Sequence, residues 1–505
     1  MCSTPQQFLR LEDENVFPLG FRVDRVPPNL DAVVIGSGIG GLTAAALLAK
    51  AGKRVLVLEQ HDHAGGCTHT FQKEGFEFDV GIHYLGQLHE NSLLKVAVDQ
   101  ITEGQLQFVK LEQHYDTVLF GEPGQCRCAA PFKGKVRLNL KHILENLQNL
   151  KAVVHASRRA PLLAILKMLP YPLVNFLIWT GLLDKISSIF QLATTRHSEM
   201  MSRLTQNKDL QALSAYLFYG VPPKESSFLI NALLLHHYKR GAYYPYGGSS
   251  EIAFHIVPVI QQAGGEVLVR SPVQRILINS EGKACGKQER EDLCLSFRKP
   301  LCFLKLLPAD VQTAFTSFLF GFFGLNLKIQ FGIHLQEELS VVYFPVGGRH
   351  HGGSMEEYCS LKREQVLGNI PMMFITFPSA KDPSSTIRQP GKSCMTLLTM
   401  ARYEWFEDWE KTKVGKRGQE YQDMKESMAK ELLEWALTIF PQLRDKVGQY
   451  LVLHFWSILS RINCCNLLTF CYSCLLSFAL HRCDCSSTTL RCCFTTRHCK
   501  TVGLY

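Results

Sequence analysis

Short apolar runs alternate with helix-like stretches along the first part of the chain. Val33, Val34 and Ile35 form a β-branched run, as a strand buried on both faces requires. An alanine- and leucine-rich stretch follows, and a second apolar run, Arg54-Val-Leu-Val-Leu-Glu59, comes next. This order predicts a strand, a helix and a second strand, which begin a parallel α/β sheet.

The turn between the first strand and the helix is rich in glycine. It reads Gly36-Ser-Gly38-Ile-Gly40-Gly41, with the Gly-x-Gly-x-x-Gly spacing at 36, 38 and 41. Gly36 allows a tight turn, Gly38 lets the backbone approach a pyrophosphate, and Gly41 lets the helix pack closely on the sheet. Gly40 belongs to the same turn, where free helix N–H groups face the phosphates. We therefore predict a dinucleotide site here, rather than an ordinary surface turn.

Glu59 and a second glycine pair narrow the choice of nucleotide. Glu59 ends the second strand about twenty residues after the turn, where a carboxylate accepts hydrogen bonds from ribose hydroxyls and repels a 2′-phosphate. This favours FAD or NAD over NADP. The Gly65-Gly66 pair follows directly and fits a longer cofactor. We predict FAD, and keep NAD or NADP open as a cofactor or electron donor.

Several segments resemble one known family. The chain is similar to the FAD-dependent oxidoreductases that include phytoene desaturases, carotenoid isomerases and retinol-saturating enzymes. The segments that carry this resemblance are Gly36 to Gly41, Lys53 to His61, Ala64 to Cys67, His69 to Phe71, Gly81 to Tyr84, Tyr244 to His255, Ala263 to Leu277, Phe377 to Asp382 and Tyr403 to Asp408. The resemblance implies a strand from Pro272 to Leu277 under the adenine, with a backbone amide near Val273 as a further cofactor contact.

The resemblance also implies a reaction. It is the reduction of a carbon–carbon double bond in a conjugated polyene lipid, most closely all-trans-retinol to 13,14-dihydroretinol. Hydride would come from reduced flavin, and a proton would go to the neighbouring carbon inside an apolar tunnel. No catalytic residue is assigned. His69, His83 and Tyr84 are near enough to the glycine pair to donate a proton, or are simply packed side chains.

Other functions stay open at this point. One alternative is a carotenoid desaturase or isomerase, or a flavin amine oxidase-like enzyme. Another is an inactive or lipid-binding protein of the type of the Rab GDP-dissociation inhibitors, which hold a prenyl lipid without redox chemistry. Glu59 and the Gly65-Gly66 pair indicate that a nucleotide is bound. The lipid-binding protein is therefore the third candidate, after the two kinds of enzyme.

The predicted fold class is α/β, with a Rossmann-like, doubly wound FAD-binding domain and an inserted α+β substrate or membrane-associated domain. Helical spacing of apolar residues over 139–150 and 423–440 belongs to the second domain. The predicted ranges are 1–29 for an N-terminal extension, 30–120 and 241–286 for the FAD-binding domain, 121–240 for a mostly helical part of the substrate domain, 287–448 for its continuation and 449–505 for an atypical tail.

Two regions depart from the family pattern. Between Gly286 and Gly347 we expect a charged and Phe-rich stretch in place of the usual return strand. Half of the 18 cysteines lie after residue 460, and no glycine-rich flavin motif is visible over 449–505. Since the family's C-terminal motif contacts the flavin ring, the sequence predicts that this chain holds mainly the adenosine and pyrophosphate end of its cofactor, and this departure is what keeps the inactive alternative open beside the predicted enzyme.

Charge and hydropathy set the expected partners. The net charge of +9 is spread over 505 residues without a dense basic run, so nucleic acid is not expected. The apolar stretch from Ala160 to Leu183 is broken by Lys167 and two prolines. It predicts a pair of short helices that lie in a membrane interface, line the substrate tunnel or belong to the core.

We expect an apolar retinoid or carotenoid-like substrate and a membrane surface as partners. No signal peptide is evident at Met1, and by resemblance the location is the endoplasmic reticulum membrane, as a peripheral protein. No metal site is expected, because the cysteine pairs of the tail lack a convincing second pair. The adjacent histidines at 236–237 and 350–351 lack acidic partners at useful spacing. The pair at 236–237 lies in a helix-like stretch, where neighbouring side chains diverge and are poor co-ligands.

Overall fold

The computed structural model describes part of the chain. These residues are 19–73, 75–112, 115–120, 127–128, 154, 169–186, 188–206, 211, 213–215, 222–278, 280, 284–290, 293–296, 302–304, 325–333, 340–344, 353–409, 412, 417–445 and 447–454, some as backbone alone. The predicted helix over 139–150, the His350-His351 pair and the tail beyond His454 lie outside them.

The strands, in chain order, are β1 Leu19–Gly20, β2 Ala32–Ile35, β3 Val55–Leu58, β4 Thr70–Lys73, β5 Phe76–Asp79, β6 Leu85–Gly86, β7 Phe108–Lys110, β8 Asp116–Phe120, β9 Arg127–Cys128, β10 Ala242–Pro245, β11 Glu266–Val269, β12 Arg275–Ile278, β13 Ala284–Arg290, β14 Leu293–Ser296, β15 Cys302–Leu304, β16 Leu325–Ile333, β17 Ser340–Phe344, β18 Met373–Thr376, β19 Ser393–Ala401 and β20 Val447–His454.

The α-helices are α1 Ile39–Lys50, α2 Leu93–Thr102, α3 Tyr171–Trp179, α4 Leu182–Ile186, α5 Ser188–Thr194, α6 His197–Leu204, α7 Phe228–His237, α8 Glu251–Gln262, α9 Gly353–Ser360, α10 Pro378–Lys381, α11 Ser385–Arg388 and α12 Gly418–Ile439. The helix predicted over 423–440 is confirmed as part of α12. None of the helices in the described residues is long and apolar enough to cross a bilayer.

A five-stranded parallel sheet forms the first layer, in the order β1-β11-β3-β2-β15. Val33, Val34, Leu56 and Val57 are fully buried, since side chains on both faces of the sheet are covered. Helices α1, α2 and α8 pack together on one face, where alanines and small aliphatic side chains allow close approach. The Rossmann-like fold class is therefore confirmed.

A seven-stranded mixed sheet, in the order β20-β16-β19-β18-β17-β8-β9, forms the second domain. Its largest apolar cluster joins β18 and β19 to α7 and α12, with Phe377, Met395 and Leu432 fully buried. The prediction of an α+β domain beside the nucleotide-binding sheet is confirmed.

Strand pairing differs from the sequence prediction at three places. β1 extends the parallel sheet beside β11, although it lies in the predicted N-terminal extension. β8 ends the predicted first part of the FAD-binding domain but pairs with β17 of the second sheet. β15 pairs in parallel with β2, so a strand does stand at the sheet edge where the sequence suggested none. Three residues are too short a run for periodicity to detect.

Of the apolar stretch predicted to form short helices, 160–183, the structure describes residues 169–183, which contain α3 and the start of α4. α3 and α4 are separated at Gly181, which has a φ of +64°. α3 buries none of its residues, and Phe176, Ile178 and Trp179 are exposed. The alternative of a buried core helix therefore does not hold for α3.

Candidate cofactor site

The glycine turn after β2 has the geometry that close packing requires. Gly36 adopts a φ of +96°, which disfavours other residues. A Cβ on Gly41 would lie 1.9 Å from the carbonyl oxygen of Gly36, whereas a Cβ on Gly38 would meet nothing within 4 Å. Gly38 also precedes α1 without a side-chain cap, so no N-cap side chain occupies the N–H groups of the first turn. The turn thus presents a donor surface to an anion.

The second glycine pair packs directly on this turn. Gly65 forms a parallel bridge with Gly38, and its N–H donates to the Ser37 carbonyl oxygen at 3.1 Å. Gly65 and Gly66 both have positive φ values, of 111° and 57°. A Cβ on Gly66 would lie 2.9 Å from the Cα of Gly38. The structure therefore brings the two predicted loops together as one backbone surface.

Glu59 lies buried at the end of β3, beside the turn. Its Oε2 accepts hydrogen bonds from the Ser37 N–H (2.9 Å) and hydroxyl (2.6 Å). Its Oε1 accepts from the His61 N–H at 3.0 Å and lies 2.7 Å from His61 Nδ1. Burial raises the pKa of Glu59, but the hydrogen bonds from His61 and Ser37 outweigh it and lower the pKa to about 2. Glu59 is therefore a carboxylate at neutral pH.

The second predicted segment meets the first at the glycine pair. The Thr70 N–H donates to the Ser250 hydroxyl oxygen at 2.7 Å, which ties β4 to the start of α8. A Cβ on Gly65 would lie 3.3 Å from the Cβ of Ala253. β11 pairs in parallel with β3, so both segments share one sheet.

Val273 lies between β11 and β12, at the edge of the apolar cluster formed by Leu56, Leu58 and Leu268. The strand implied from Pro272 begins later, at Arg275, and belongs to a small antiparallel sheet. Among the described residues, the Val273 N–H has no hydrogen-bond acceptor. Val273 stays a predicted cofactor contact, to which its backbone N–H would donate.

The chain then leads from the glycine pair to an aromatic cluster. A Cβ on Gly81 would lie 2.9 Å from the Cβ of Cys67, so the segment after β5 packs on the loop of Gly65 and Gly66. Two residues further, the His83 ring lies 5.7 Å from that of Phe374. Tyr84 follows and contacts Tyr115, Tyr238 and Phe374.

Tyr84 and Asp116 form a buried pair in this cluster. The Tyr84 hydroxyl donates to Asp116 Oδ2 at 2.7 Å. Tyr84 is therefore held by a carboxylate, and Asp116 begins β8, the strand that joins the second sheet.

Lys381 reaches the same cluster from α10. It is 4% exposed. Its Nζ donates to the His83 carbonyl oxygen at 3.2 Å and to the Thr376 hydroxyl, and lies 5.0 Å from the centre of the Tyr84 ring. Burial lowers the pKa of Lys381 to about 8, partly offset by the negative charges of Asp116 and Asp79. A lysine with a pKa near neutrality is a candidate proton donor.

A buried ion network lies beside Lys381. Arg388 pairs with Glu77 and with Asp382, the latter at 2.8 Å. Asp382 Oδ1 also accepts from the Gly247 N–H at 3.3 Å. Asp79 accepts from the Tyr244 and Ser249 hydroxyls. The network joins β5 and the loop before α8 to the second domain.

Two of the histidines named from the sequence, His69 and His237, are buried and packed against the backbone. His69 Nδ1 lies 2.5 Å from the Gly66 carbonyl oxygen, and burial lowers the pKa of His69. His237 Nε2 accepts from the Gly86 N–H at 2.8 Å, and burial lowers its pKa to about 4, so it is a core histidine. Within the described residues no group of three His, Cys, Asp or Glu side chains could hold a metal.

The sequence did not single out Lys381 and Asp116, which the structure brings together with Tyr84. The segment Phe377-Pro-Ser-Ala-Lys-Asp382 belongs to the resemblance, but nothing in the sequence distinguishes its lysine. The available signal was a charged pair in the short segment that follows an apolar strand, since β18 ends at Thr376.

Comparison with known proteins agrees with this geometry. Residues 34–101 match the NAD(P)-binding Rossmann-like domain family. All-trans-retinol 13,14-reductase of Danio rerio is 40% identical, over 88% of this chain and 77% of the relative. The human protein of that name is 39% identical, over 86% and 76%. An inactive all-trans-retinol 13,14-reductase of Danio rerio is also 40% identical, over 88% and 78%.

Solved structures support the fold. Cyclohexylamine oxidase of Brevibacterium oxydans superposes with a TM-score of 0.50 at 15% identity, covering 85% of each chain. A Pyrococcus furiosus protein superposes with a TM-score of 0.50 at 16% identity, covering 84% of this chain and 88% of that one. At such low identity the likeness concerns the fold alone. The identities to the curated relatives are much higher, and by them the chain belongs to the all-trans-retinol 13,14-reductase family.

Proposed function

We propose that the chain binds FAD and reduces a carbon–carbon double bond of a conjugated polyene alcohol, converting all-trans-retinol to 13,14-dihydroretinol. The observation that carries the proposal is the joint backbone surface of Gly38 and Gly66 beside the carboxylate of Glu59. This surface suits the pyrophosphate and ribose of a dinucleotide, and the relatives at 40% identity supply the reaction.

The residues present fit FAD. A pyrophosphate needs open N–H donors and no Cβ in its path, as found at Gly38 and the start of α1. Both oxygens of Glu59 are occupied by Ser37 and His61, so a ribose hydroxyl would replace His61 Nδ1, whose side chain is 37% exposed. When bound, reduced FAD would supply hydride to the substrate.

The chain's own residues would orient the polyene and exclude water. The aromatic rings of Tyr84, Tyr115, Tyr238 and Phe374 form a compact, largely buried cluster at the far end of the segment that leaves the glycine pair. Flat aromatic side chains pack well against a conjugated polyene chain. Holding the double bond in the correct position next to the cofactor would supply a large part of the rate enhancement.

An alternative is a chain that binds nucleotide without turnover. The observation in its favour is that an active and an inactive relative of Danio rerio are equally similar to this chain, at 40% identity each. Overall similarity therefore does not separate the two functions, and turnover has to be measured.

Two further parts of the proposal concern the surroundings of the enzyme. A nicotinamide nucleotide, NADH or NADPH, is the proposed electron donor to the flavin. The exposed apolar side chains of α3, among them Trp179 at 84%, support contact with a membrane surface. By family resemblance we propose the endoplasmic reticulum membrane, with the chain as a peripheral protein.

The test begins with the visible spectrum of the purified full-length chain. Paired absorption bands of oxidised flavin, at one FAD per chain, are expected. The flavin is then reduced under anaerobic conditions and mixed with all-trans-retinol, and mass spectrometry should find the dihydro product. Bound flavin without product supports the inactive alternative. Parallel incubations with a primary amine and with prolycopene test the amine oxidase and isomerase alternatives.

A further inference from the structure

We propose that Lys381 is the proton donor of the reaction, and that its ammonium group protonates the double-bond carbon adjacent to the one that accepts hydride. This inference rests on the proposed polyene reduction and adds the catalytic acid, which the sequence left unassigned.

Lys381 contacts the segment that leaves the glycine pair. Gly65 and Gly66 pack on Gly38, and Gly81 packs on Cys67 within the same loop. The backbone then runs from Gly81 to His83, whose carbonyl oxygen accepts the hydrogen bond from Lys381 at 3.2 Å. An extended cofactor with its pyrophosphate at the glycine turn needs a path of this kind for its second half. Lys381 lies at the end of that path.

The ammonium group of Lys381 is buried among a carbonyl oxygen, a hydroxyl and an aromatic ring. Among the described residues, no carboxylate lies within 4.0 Å of Lys381 Nζ, so the charge has no direct ion-pair partner. Its contacts are the His83 carbonyl oxygen, the Thr376 hydroxyl and the Tyr84 ring. Burial of an ammonium group without an ion-pair partner costs folding free energy. Buried ionisable groups with shifted pKa values are found most often at functional sites.

Several charged groups lie around Lys381. Asp116 on β8 and Asp79 on β5 act on it at longer range, and both favour its protonated form. Asp116 is engaged by the Tyr84 hydroxyl and Asp79 by Tyr244 and Ser249. Asp382, the next residue, is engaged by Arg388 and Ser384. Lys381 is therefore protonated at pH 7. Its pKa of about 8 is lower than that of an ordinary lysine, so it releases its proton more readily.

The step balances as follows. Bound reduced flavin would supply the hydride that forms one C–H bond while the π bond of the substrate breaks. The ammonium group of Lys381 would supply the proton of the second C–H bond and become a neutral amine, which would regain a proton from water. Two electrons from the nicotinamide-type donor would restore the reduced flavin.

The experiment compares Lys381→Met and Lys381→Arg with Lys430→Met, an exposed lysine on α12, as the matched control. The arginine variant keeps a cation but cannot release its proton near neutral pH. Three readouts are taken on each protein: FAD content from absorbance, reoxidation of reduced flavin by oxygen, and reoxidation by all-trans-retinol. Both Lys381 variants should keep FAD and the oxygen reaction, and should lose at least a hundredfold in the retinol reaction.

The pH dependence gives an independent readout. In the wild type the retinol reaction should fall about tenfold per pH unit above pH 8, and the visible spectrum of bound FAD should shift with the same midpoint. The spectral shift should be absent from Lys381→Arg.

The outcomes separate this inference from the proposed function. Retinol reduction within threefold of wild type in either Lys381 variant overturns the role of the lysine and leaves the proposed function intact. No retinol reduction by the wild type overturns the proposed function itself. If both variants fail to bind FAD, the wild-type profile decides, and a flat rate between pH 7 and 9.5 rejects the proton donor.

Discussion

Gly66 approaches Gly38 so closely that a methyl group on Gly66 would lie 2.9 Å from the Cα of Gly38. The two residues come from different loops, and their contact forms the surface on which we place the pyrophosphate. Two separate features exclude a side chain at Gly66, its positive φ and the lack of space beside Gly38. Different substitutions can test these two features separately.

Gly66→Ala should abolish FAD binding, because it adds both a strained φ of 57° and the clash with Gly38. Gly52→Ala is the matched control, since Gly52 has a φ of 75° with nothing within 4 Å of an added Cβ. We expect the control to lose about 1 kcal/mol of stability and to keep FAD. FAD affinity measured by fluorescence quenching, with thermal unfolding alongside, distinguishes the two. Equal losses of affinity would assign the effect to backbone strain alone.

Glu59→Gln should weaken FAD binding by roughly ten- to a hundredfold, because hydrogen bonds from ribose hydroxyls to a carboxylate are stronger than those to an amide. His61→Ala should leave affinity within about threefold, since the imidazole occupies the position that the ribose would take. Glu426→Gln on the exposed face of α12 serves as the control. Titration of the apoprotein with FAD gives the dissociation constants. An unchanged affinity in Glu59→Gln would place the adenosine elsewhere.

Glu59 should also make the protein sensitive to acid. Its pKa is about 2 in the folded state against a reference of 4.5, so the stabilisation is present above pH 4.5 and lost as the pH falls towards 2. The shift corresponds to roughly 3 kcal/mol. Urea unfolding of the apoprotein at pH 7, 4.5 and 3 should show the first part of this loss in the wild type, about 2 kcal/mol by pH 3. In Glu59→Gln the loss between pH 7 and pH 3 should be smaller by about that amount, and identical pH dependence would contradict the assignment.

Arg388→Met should destabilise the fold by about 3 to 5 kcal/mol, because it leaves the buried carboxylates of Glu77 and Asp382 without their cation. Arg444→Met is the control, since Arg444 and its partner Glu434 are both more than half exposed. That variant should change stability by less than 1 kcal/mol. Chemical denaturation measures both. A small effect at Arg388 would mean that water reaches the network.

Replacement of Phe176 and Trp179 by serine should reduce binding to phospholipid vesicles by at least tenfold, since each exposed side chain buries apolar area in a bilayer. Ile387→Ser, at a residue 62% exposed on α11, controls for general loss of surface hydrophobicity. Vesicle flotation provides the measurement. Binding that is unaffected by the double replacement would remove α3 from the membrane contact.

The cofactor turn was predictable because its signals are local. Gly36, Gly38, Gly41 and Glu59 lie within one β-α-β unit, where each steric requirement selects a residue type at a fixed spacing. The contact between Lys381 and His83 joins residues 298 apart, and no periodicity in the sequence encodes it. The return strand β15 was missed for a related reason, because three residues carry too little pattern. Short elements and distant side-chain pairs are set by tertiary packing, which a single sequence does not display.

The parallel sheet has a consequence for how the chain folds. Glu266 on β11 pairs with Leu56 on β3, 210 residues away (266 minus 56). The intervening chain loses conformational entropy before the pairing of the two strands can compensate for that loss. Such non-local topologies fold slowly. A nucleotide that contacts the loops after both β2 and β3 would stabilise the folded state by mass action, about 2.7 kcal/mol at a hundredfold excess over its dissociation constant. We therefore expect riboflavin supply to set how much of the newly synthesised chain escapes degradation.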